Sequence, residues 1–401
     1  MPDVWKWRSG VALALAVALG VGGAAVAQEA QEDEGREADA TAAAQPEEDA
    51  GATPAGEGVI EEITVTAQKR EENVQEVPLA ISTLDQEALE VLTTAGVDIR
   101  FLSARVPSVI LESSFGRSFP RFYVRGLGNT DFDLNASQPV SMVYDEVVLE
   151  NPVLKGMPVW DVDRVEVLRG PQGTLFGRNT PAGIVKFDTV KPSQMRDAEL
   201  RASYGTYDTI DLRGAVGGPL TDTLSARFSA LVQSRSDWVE NRAPGGDDLE
   251  GYDTWAGRFQ LLWEPNDRFS GLLNVHAWDV DGTSRVFRAN ILDPGEDGIG
   301  GGFDRDEVFH DGLNEQDISA QGAVLRLDYD LGIATLTSVT GYDTLEMYSR
   351  GDIDGGSGAA FLGNDVPAPI PFSAESADGL PDLDQLTQEV RLASNGDGRL
   401  G

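Results

Sequence analysis

From Ala198 onward the chain repeats one pattern, and that pattern limits its fold more than any other feature. Ala198, Leu200, Ala202 and Tyr204 alternate with Glu199, Arg201 and Ser203. Ile210, Leu212, Gly214 and Val216 alternate with Asp211, Arg213 and Ala215, and Leu224, Ala226, Phe228, Ala230 and Val232 with Ser225, Arg227 and Ser229. The alternation returns over residues 255–263, 269–278, 320–329, 333–342 and 384–392. Successive side chains of a strand point to opposite faces, so each segment has an apolar and a polar side. About eight strands of around ten residues have the length that a tilted strand needs to cross a membrane. Tight turns over 217–223, 264–268 and 330–332 alternate with long polar loops over 237–253, 279–317 and 349–383. A soluble β-sandwich also explains the alternation. It does not explain the loop asymmetry, which is the mark of outer-membrane barrels.

The charge balance narrows the function. Against 31 basic residues stand 67 acidic ones, a net charge of −36, which disfavours nucleic acid as a partner because such proteins need a basic footprint. There is no cysteine, and the two histidines, His276 and His310, are far apart in sequence. Thiol nucleophiles, Cys-zinc sites and imidazole clusters therefore lack support, and no paired catalytic constellation is present. We expect no enzyme, no metal centre and no cofactor. An exported enzyme with a β-rich body is the rival that this reading disfavours.

The first 27 residues address the compartment. Lys6 and Arg8 precede an apolar run over 11–22, and Ala25-Val26-Ala27 forms a small-residue cleavage site. This predicts a secretory signal peptide over 1–27, cut before Gln28; an N-terminal membrane anchor is the alternative, although the run is short and glycine-interrupted for a span. Residues 28–58 carry ten acids against one arginine and are expected to be a disordered linker.

Residues 75–192 read as one small α+β domain. Asp85 is placed to N-cap a helix with Ala88, Leu89 and Leu92 on one face, and a second short helix is expected over 97–105, with Ile99 and Leu102 inward. Strands are expected over 108–112, 121–125, 140–149, 164–168 and 183–190. The last two flank a compact reversal containing Arg169, Gly170, Pro171, Gly173, Gly177, Arg178, Asn179, Pro181 and Gly183. A phosphate-cradling loop is one reading of such glycines, but no Gly-Lys-Ser/Thr follows them and no G-x-G-x-x-G opens a helix.

Residues 165–183, Val-Glu-Val-Leu-Arg-Gly-Pro-Gln-Gly-Thr-Leu-Phe-Gly-Arg-Asn-Thr-Pro-Ala-Gly, closely resemble the end of the plug domain of TonB-dependent outer-membrane receptors. Residues 77–81, Tyr123-Val124-Arg125-Gly126 and Val143-Tyr144-Asp145 resemble further plug motifs. The plug-motif residues are thus Arg125, Gly126, Tyr144, Asp145, Glu166, Arg169, Gly170, Pro171, Gly173, Gly177, Arg178, Asn179 and Gly183. Three positions depart from the common pattern. Glu146 stands where glycine is usual, which questions the turn, and Val185-Lys186 stand where a small residue and asparagine are commoner. Glu62, Ile63, Thr64, Val65, Thr66 and Ala67, within a linker over 59–74, resemble the TonB box. Read from the residues alone, they are equally the first strand of the following domain. The resemblance implies that a periplasmic partner, TonB, captures them by strand addition.

The resemblance implies a receptor in the outer membrane of a Gram-negative bacterium. Its surroundings are outer-membrane lipid, and its cargo is a small-molecule substrate such as a ferric siderophore, with a glycan or cobalamin as alternatives. A surface-exposed binding protein or adhesin without transport is the rival from another class. The expected fold is an α+β plug domain followed by antiparallel transmembrane β-barrel strands over 193–401, a partial barrel of about eight strands. Family barrels have about twenty-two strands, so the chain is expected to be incomplete. Phe115, Arg117, Asp131, Phe132, Asp133 and Asn135 are the apical ligand-binding candidates. Acidic runs over 293–302, 304–311 and 352–355 suit solvated loops better than calcium loops. The arginines of the reversal are expected to pair with carboxylates on the polar lumen face. Tyr204, Tyr207, Trp238, Trp255, Trp263, Trp278, Tyr342 and Tyr348 are girdle candidates.

Overall fold

The computed structural model describes residues 64–66, 68–70, 72–94, 96–289, 291, 292, 295, 297–300, 302–355 and 374–395. The expected signal peptide over 1–27, the linker over 28–58, and Glu62, Ile63 and Ala67 lie outside the described residues.

The N-terminal body contains strands β1 (Thr64–Val65), β2 (Glu72–Asn73) and β3 (Ala80–Asp85), then helix α1 (Gln86–Leu92) and a 3₁₀ helix (Ile99–Ala104). Strands β4 (Val109–Glu112), β5 (Arg121–Val124), β6 (Val140–Tyr144), β7 (Val147–Leu149) and β8 (Val162–Arg169) follow, then helix α2 (Gly173–Phe176) and β9 (Gly183–Thr189). As expected, the Asp85 carboxylate accepts from the Ala88 amide at 2.8 Å and starts α1. The second helix is a 3₁₀ helix rather than an α-helix, because only a few residues separate the Asp98 cap from Pro107. Its Ile99 and Leu102 are buried.

Strands β3-β8-β9-β6-β7 form a five-stranded sheet in that order, in which β6 and β9 run parallel and the other pairs antiparallel. Apolar side chains cover both of its faces. Val165, Val167, Val185 and Phe187 enter the main core, whereas Val143, Leu168 and Ile184 pack with Val65 and Phe176 behind it. Strand β3 was not expected, because its residues are half-buried without a period. The single strand expected over 140–149 is instead a hairpin of β6 and β7. Its two-residue turn is Asp145-Glu146, with φ of 46° and 74°. Both are left-handed, the signature of a type I′ turn, so the turn survives without glycine at a strain of about 1 kcal/mol for Glu146.

The second part is one antiparallel sheet of eight strands: β10 (Asp197–Gly205), β11 (Thr209–Thr221), β12 (Leu224–Arg235), β14 (Tyr252–Asn266), β15 (Phe269–Gly282), β17 (Glu315–Asp330), β18 (Ala334–Asp352) and β19 (Glu375–Ser394). Two loop strands, β13 (Glu240–Asn241) and β16 (Glu307–Val308), pair with each other. All eight expected strands are present, but several run longer. The loops expected over 279–317 and 349–383 are shorter, because β15, β17, β18 and β19 extend into them. Residues polar on both faces show no alternation, yet their backbones continue the ladder. On β12, Ser225, Arg227, Ser229, Leu231 and Gln233 are buried against the N-terminal body, while the intervening apolar residues face outward. This inversion, polar inward and apolar outward, is what a sheet between lipid and a filled lumen requires. Of the girdle candidates, Trp278 is buried in the core, whereas Tyr204, Trp255, Trp263, Tyr342 and Tyr348 are exposed. No helix among the described residues is long and apolar enough to cross a membrane, which says nothing of strands.

Candidate functional site

The reversal over 163–192 closes the β8–β9 pair. Gly170, Gly177 and Gly183 have φ of 106°, 76° and 151°, and Asn179 has 64°. A Cβ on Gly183 would lie 2.2 Å from the Leu168 carbonyl oxygen, so only glycine fits there. The Gly170 amide donates to the Ala182 carbonyl at 2.8 Å, and Asn179 donates from Nδ2 to Glu150 at 2.7 Å. Pro171 and Gly173 are exposed, as are Arg125 and Gly126 in the turn after β5. The expected pairing of the reversal's arginines with the lumen face does not occur. Arg169 donates to the Ser82 hydroxyl and the Pro107 carbonyl, and Arg178 is exposed beside Glu150. Across one seam the polarity of the pairing is reversed: the sheet supplies the arginines and the body supplies the carboxylate.

That seam centres on Asp161, which no motif marks. Arg227 of β12 donates two hydrogen bonds to its carboxylate, and Arg258 of β14 reaches Oδ2 at 3.0 Å and the Asp161 carbonyl at 2.7 Å. Arg258 also donates to the Tyr144 hydroxyl at 2.5 Å and lies over the Trp160 ring. Burial alone would raise Asp161, but the two guanidiniums hold its carboxyl below the usual range. Asp145 is similar. Its oxygens accept from the Thr189 amide, the Thr189 hydroxyl, Lys191 and Asn274 of β15, and the nearby cations outweigh burial to lower its pKa. Burial pushes the Tyr144 hydroxyl up.

A second contact lies at the short-turn end. Thr64, Val65 and Thr66 are the described part of the segment expected to meet TonB. Val65 is fully buried, and the Thr66 amide donates to Glu166 at 2.7 Å. Arg164 donates to the Thr64 carbonyl at 3.1 Å. Beneath Thr66 lies Lys186, whose ammonium donates to the Thr66 hydroxyl and to Asp188 and faces Glu146 at 3.4 Å. Burial would lower Lys186, yet Asp188, Glu146 and Glu166 outweigh it and raise its pKa. Glu166, wholly buried, is pushed up by burial despite Lys186. Glu146 continues to Arg391 of β19 at 3.5 Å, Arg391 to Glu389 at 2.8 Å, and Glu389 to Lys69 at 2.5 Å.

At the opposite, long-loop end is a cavity of about 600 Å³ between the body and the sheet. Arg100, Arg117, Arg235 and Arg285 line it, with Tyr252 and the acids Asp98, Glu250 and Asp281. Arg117 and Arg235 both lie over the Tyr252 ring, at 3.8 and 4.8 Å from its centroid. Of the apical candidates only Arg117 lines this cavity. Phe115 is buried beneath Arg285. Asn129, Asp131 and Asp133 instead form successive Asx turns, each side-chain oxygen accepting from the amide two residues on, so that Asn135 enters only through its amide, and Phe132 sits under Arg121. Sequence reasoning missed Arg100, Arg235, Arg285 and Tyr252, which converge only once the loops fold. Among the described acids, Asp311, Asp352 and Asp354 bring oxygens within 4.8 Å of one another, where Asp352 caps the Asp354 and Gly355 amides.

Comparison with known proteins agrees with this architecture. The family model described as TonB-dependent Receptor Plug Domain matches residues 73–184. The pesticin receptor of Yersinia pestis is 28% identical over 179 residues, which cover 44% of this chain and 26% of that protein. The vitamin B12 transporter BtuB of Vibrio vulnificus is 24% identical over 228 residues, covering 55% and 35%. The chain thus spans about a quarter to a third of the length of these curated relatives. Among solved structures, the ferric yersiniabactin uptake receptor FyuA of Yersinia pestis superposes with a TM-score of 0.64 at 19% identity, covering 80% of this chain and 46% of that one. The ferric-catecholate import receptor Fiu of E. coli K12, in its open form, gives 0.62 at 16%, covering 80% and 47%. What these two share with the chain is the fold. These relatives are receptors and transporters, not enzymes. Residues 73–184 thus form a TonB-dependent receptor plug domain, and plug and eight-stranded sheet together have the fold of such receptors, with the sheet in the place of the barrel wall.

Proposed function

We propose that the chain forms the plug and adjoining wall of a receptor in the Gram-negative outer membrane that takes up a nutrient with energy delivered through TonB. The observation that carries this reading is spatial. The Thr64–Thr66 segment and the arginine-lined cavity lie at opposite ends of the plug, so the plug connects a pull at one end to the other. In this reading TonB pairs with residues 62–67 by strand addition. The cavity, with four guanidiniums and an aromatic face, suits a compact anionic chelate, and a ferric siderophore is the substrate we propose. Arg117 and Arg235 would hold its anionic groups, because guanidinium pairs with planar anions in a fixed fork geometry. Receptors for such chelates occur among the relatives, as does one for cobalamin.

Deletion of residues 62–67 in the receptor tests the transport step. Uptake is expected to vanish while surface binding of the ferric chelate persists. Unchanged uptake would remove energised transport and favour a binding protein without transport. The substrate class is tested separately by titrating the Arg117→Ala/Arg235→Ala receptor with ferric chelates, for which affinity should fall at least about tenfold.

A further inference from the structure

We infer that Lys186 and Glu146 act as a pair of positioning residues that hold Thr66 on the plug and tie its release to wall strand β19. The inference rests on reading Thr64–Thr66 as the strand that the partner captures. Three observations lead to it. First, the side chains of Lys186 and Glu146 are 1% and 8% exposed and face each other at 3.4 Å, and Lys186 donates to the Thr66 hydroxyl from beneath. Second, the contacts form a closed circuit. From Thr66 they pass through Lys186, Glu146, Arg391 and Glu389 to Lys69, three residues beyond Thr66. Residues 66 and 69 are therefore gripped through one chain of charges, anchored half on the plug and half on the wall. Third, Glu146 holds its carboxylate there at a backbone φ of 74°, which glycine would adopt freely. A strained conformation persists where its surroundings require it. Here the carboxylate is the only part of the residue with a partner that glycine would lose.

The two positions are also among those at which the chain departs from the common family pattern, and the structure makes them partners. Without Lys186, the carboxylates of Glu146, Glu166 and Asp188 would face one another around Thr66 with no ammonium between them. Without Glu146, Lys186 would keep Asp188 and Thr66 but lose its link to Arg391.

The chain has no cysteine, so Val65→Cys gives these 401 residues a single thiol, at a fully buried position. Its rate of modification by a maleimide reads release of the segment. Lys186→Asn should raise that rate about tenfold or more, the scale of a lost charge-assisted hydrogen bond. Glu146→Gly should also raise the rate while leaving the thermal midpoint unchanged or higher, because it removes strain. A merely structural role for Glu146 predicts no change in rate. In the Lys186→Asn/Glu146→Gly receptor the increase should fall well short of the product of the single increases. Unchanged rates in the single variants, or increases that multiply, would overturn the inference. Glu146→Gln, which keeps the side-chain length, carries the same test if Lys186→Asn does not fold. Disulfide trapping of Val65→Cys by a cysteine-bearing TonB fragment keeps the two readings apart. Trapping with unaltered modification rates removes the positioning pair alone, whereas altered rates without trapping remove only the partner reading.

Discussion

The plug is held by two contacts of similar chemistry and different design. At Asp161 one carboxylate takes two wall guanidiniums, with the Trp160 face and the Tyr144 hydroxyl completing the shell around Arg258. At Thr66 a short segment is held by its amide on Glu166, its hydroxyl over Lys186, the Thr64 carbonyl under Arg164, and one buried apolar side chain, Val65. Breaking the first leaves a buried charge without its counter-ion, a heavy penalty. Breaking the second exposes little apolar area, and its ions retain partners on the plug. Burial and charge alone do not make a contact permanent; what matters is how many partners are orphaned when it opens.

Acid should break the difference most thoroughly. Asp161 and Asp145 are held below their ordinary 3.8, and Glu146 below 4.5. Because these folded values are depressed, their contribution is complete above the ordinary values and is lost as pH falls through the lowered ones. Denaturant midpoints should therefore be level above about pH 5 and fall steeply below about pH 4, by more than any single substitution achieves. A midpoint that does not change down to pH 2 would contradict the role of these carboxylates.

Arg258→Ala comes next. It removes one of the two guanidiniums on Asp161 and the partner of the Tyr144 hydroxyl from a buried seam, and should cost about 3–5 kcal/mol in denaturant unfolding. Asp161→Ala added to it should cost far less than it does alone. Gly183→Ala, at φ 151° and facing the Leu168 carbonyl, should destabilise the plug by more than about 1 kcal/mol without altering the wall. The smallest effect belongs to Arg178→Ala. With its side chain 80% exposed and 3.5 Å from Glu150, it should change stability by less than about 0.5 kcal/mol. A large loss there would restore the pairing expected from sequence.

Those four positions also show what the sequence carries. Periodicity displayed the wall, because lipid outside and polar lumen inside force strict alternation, and all eight strands formed where the pattern stood. It also placed Arg227 and Arg258 on the inward face, although their partner, Asp161, lies in an unremarkable stretch before β8. The reversal was legible from its glycines, since left-handed backbone leaves a compositional mark. The hairpin of β6 and β7 was not, because Asp145-Glu146 makes a glycine-type turn without glycine. Charge partners were the least legible, as the direction of pairing across the seam depends on which faces meet. The cavity arginines come from segments far apart in the chain, so only folding assembles them.

The measurement closest to the central claim is amide hydrogen exchange in the intact receptor, comparing Thr66 with Val167 and Val185. Thr66, bonded to Glu166, should exchange through a local opening orders of magnitude sooner than the two sheet amides, which should wait for the plug to unfold. Protection of Thr66 equal to that of Val167 would mean that the segment is as fixed as the plug itself, and the account of a releasable strand would be wrong.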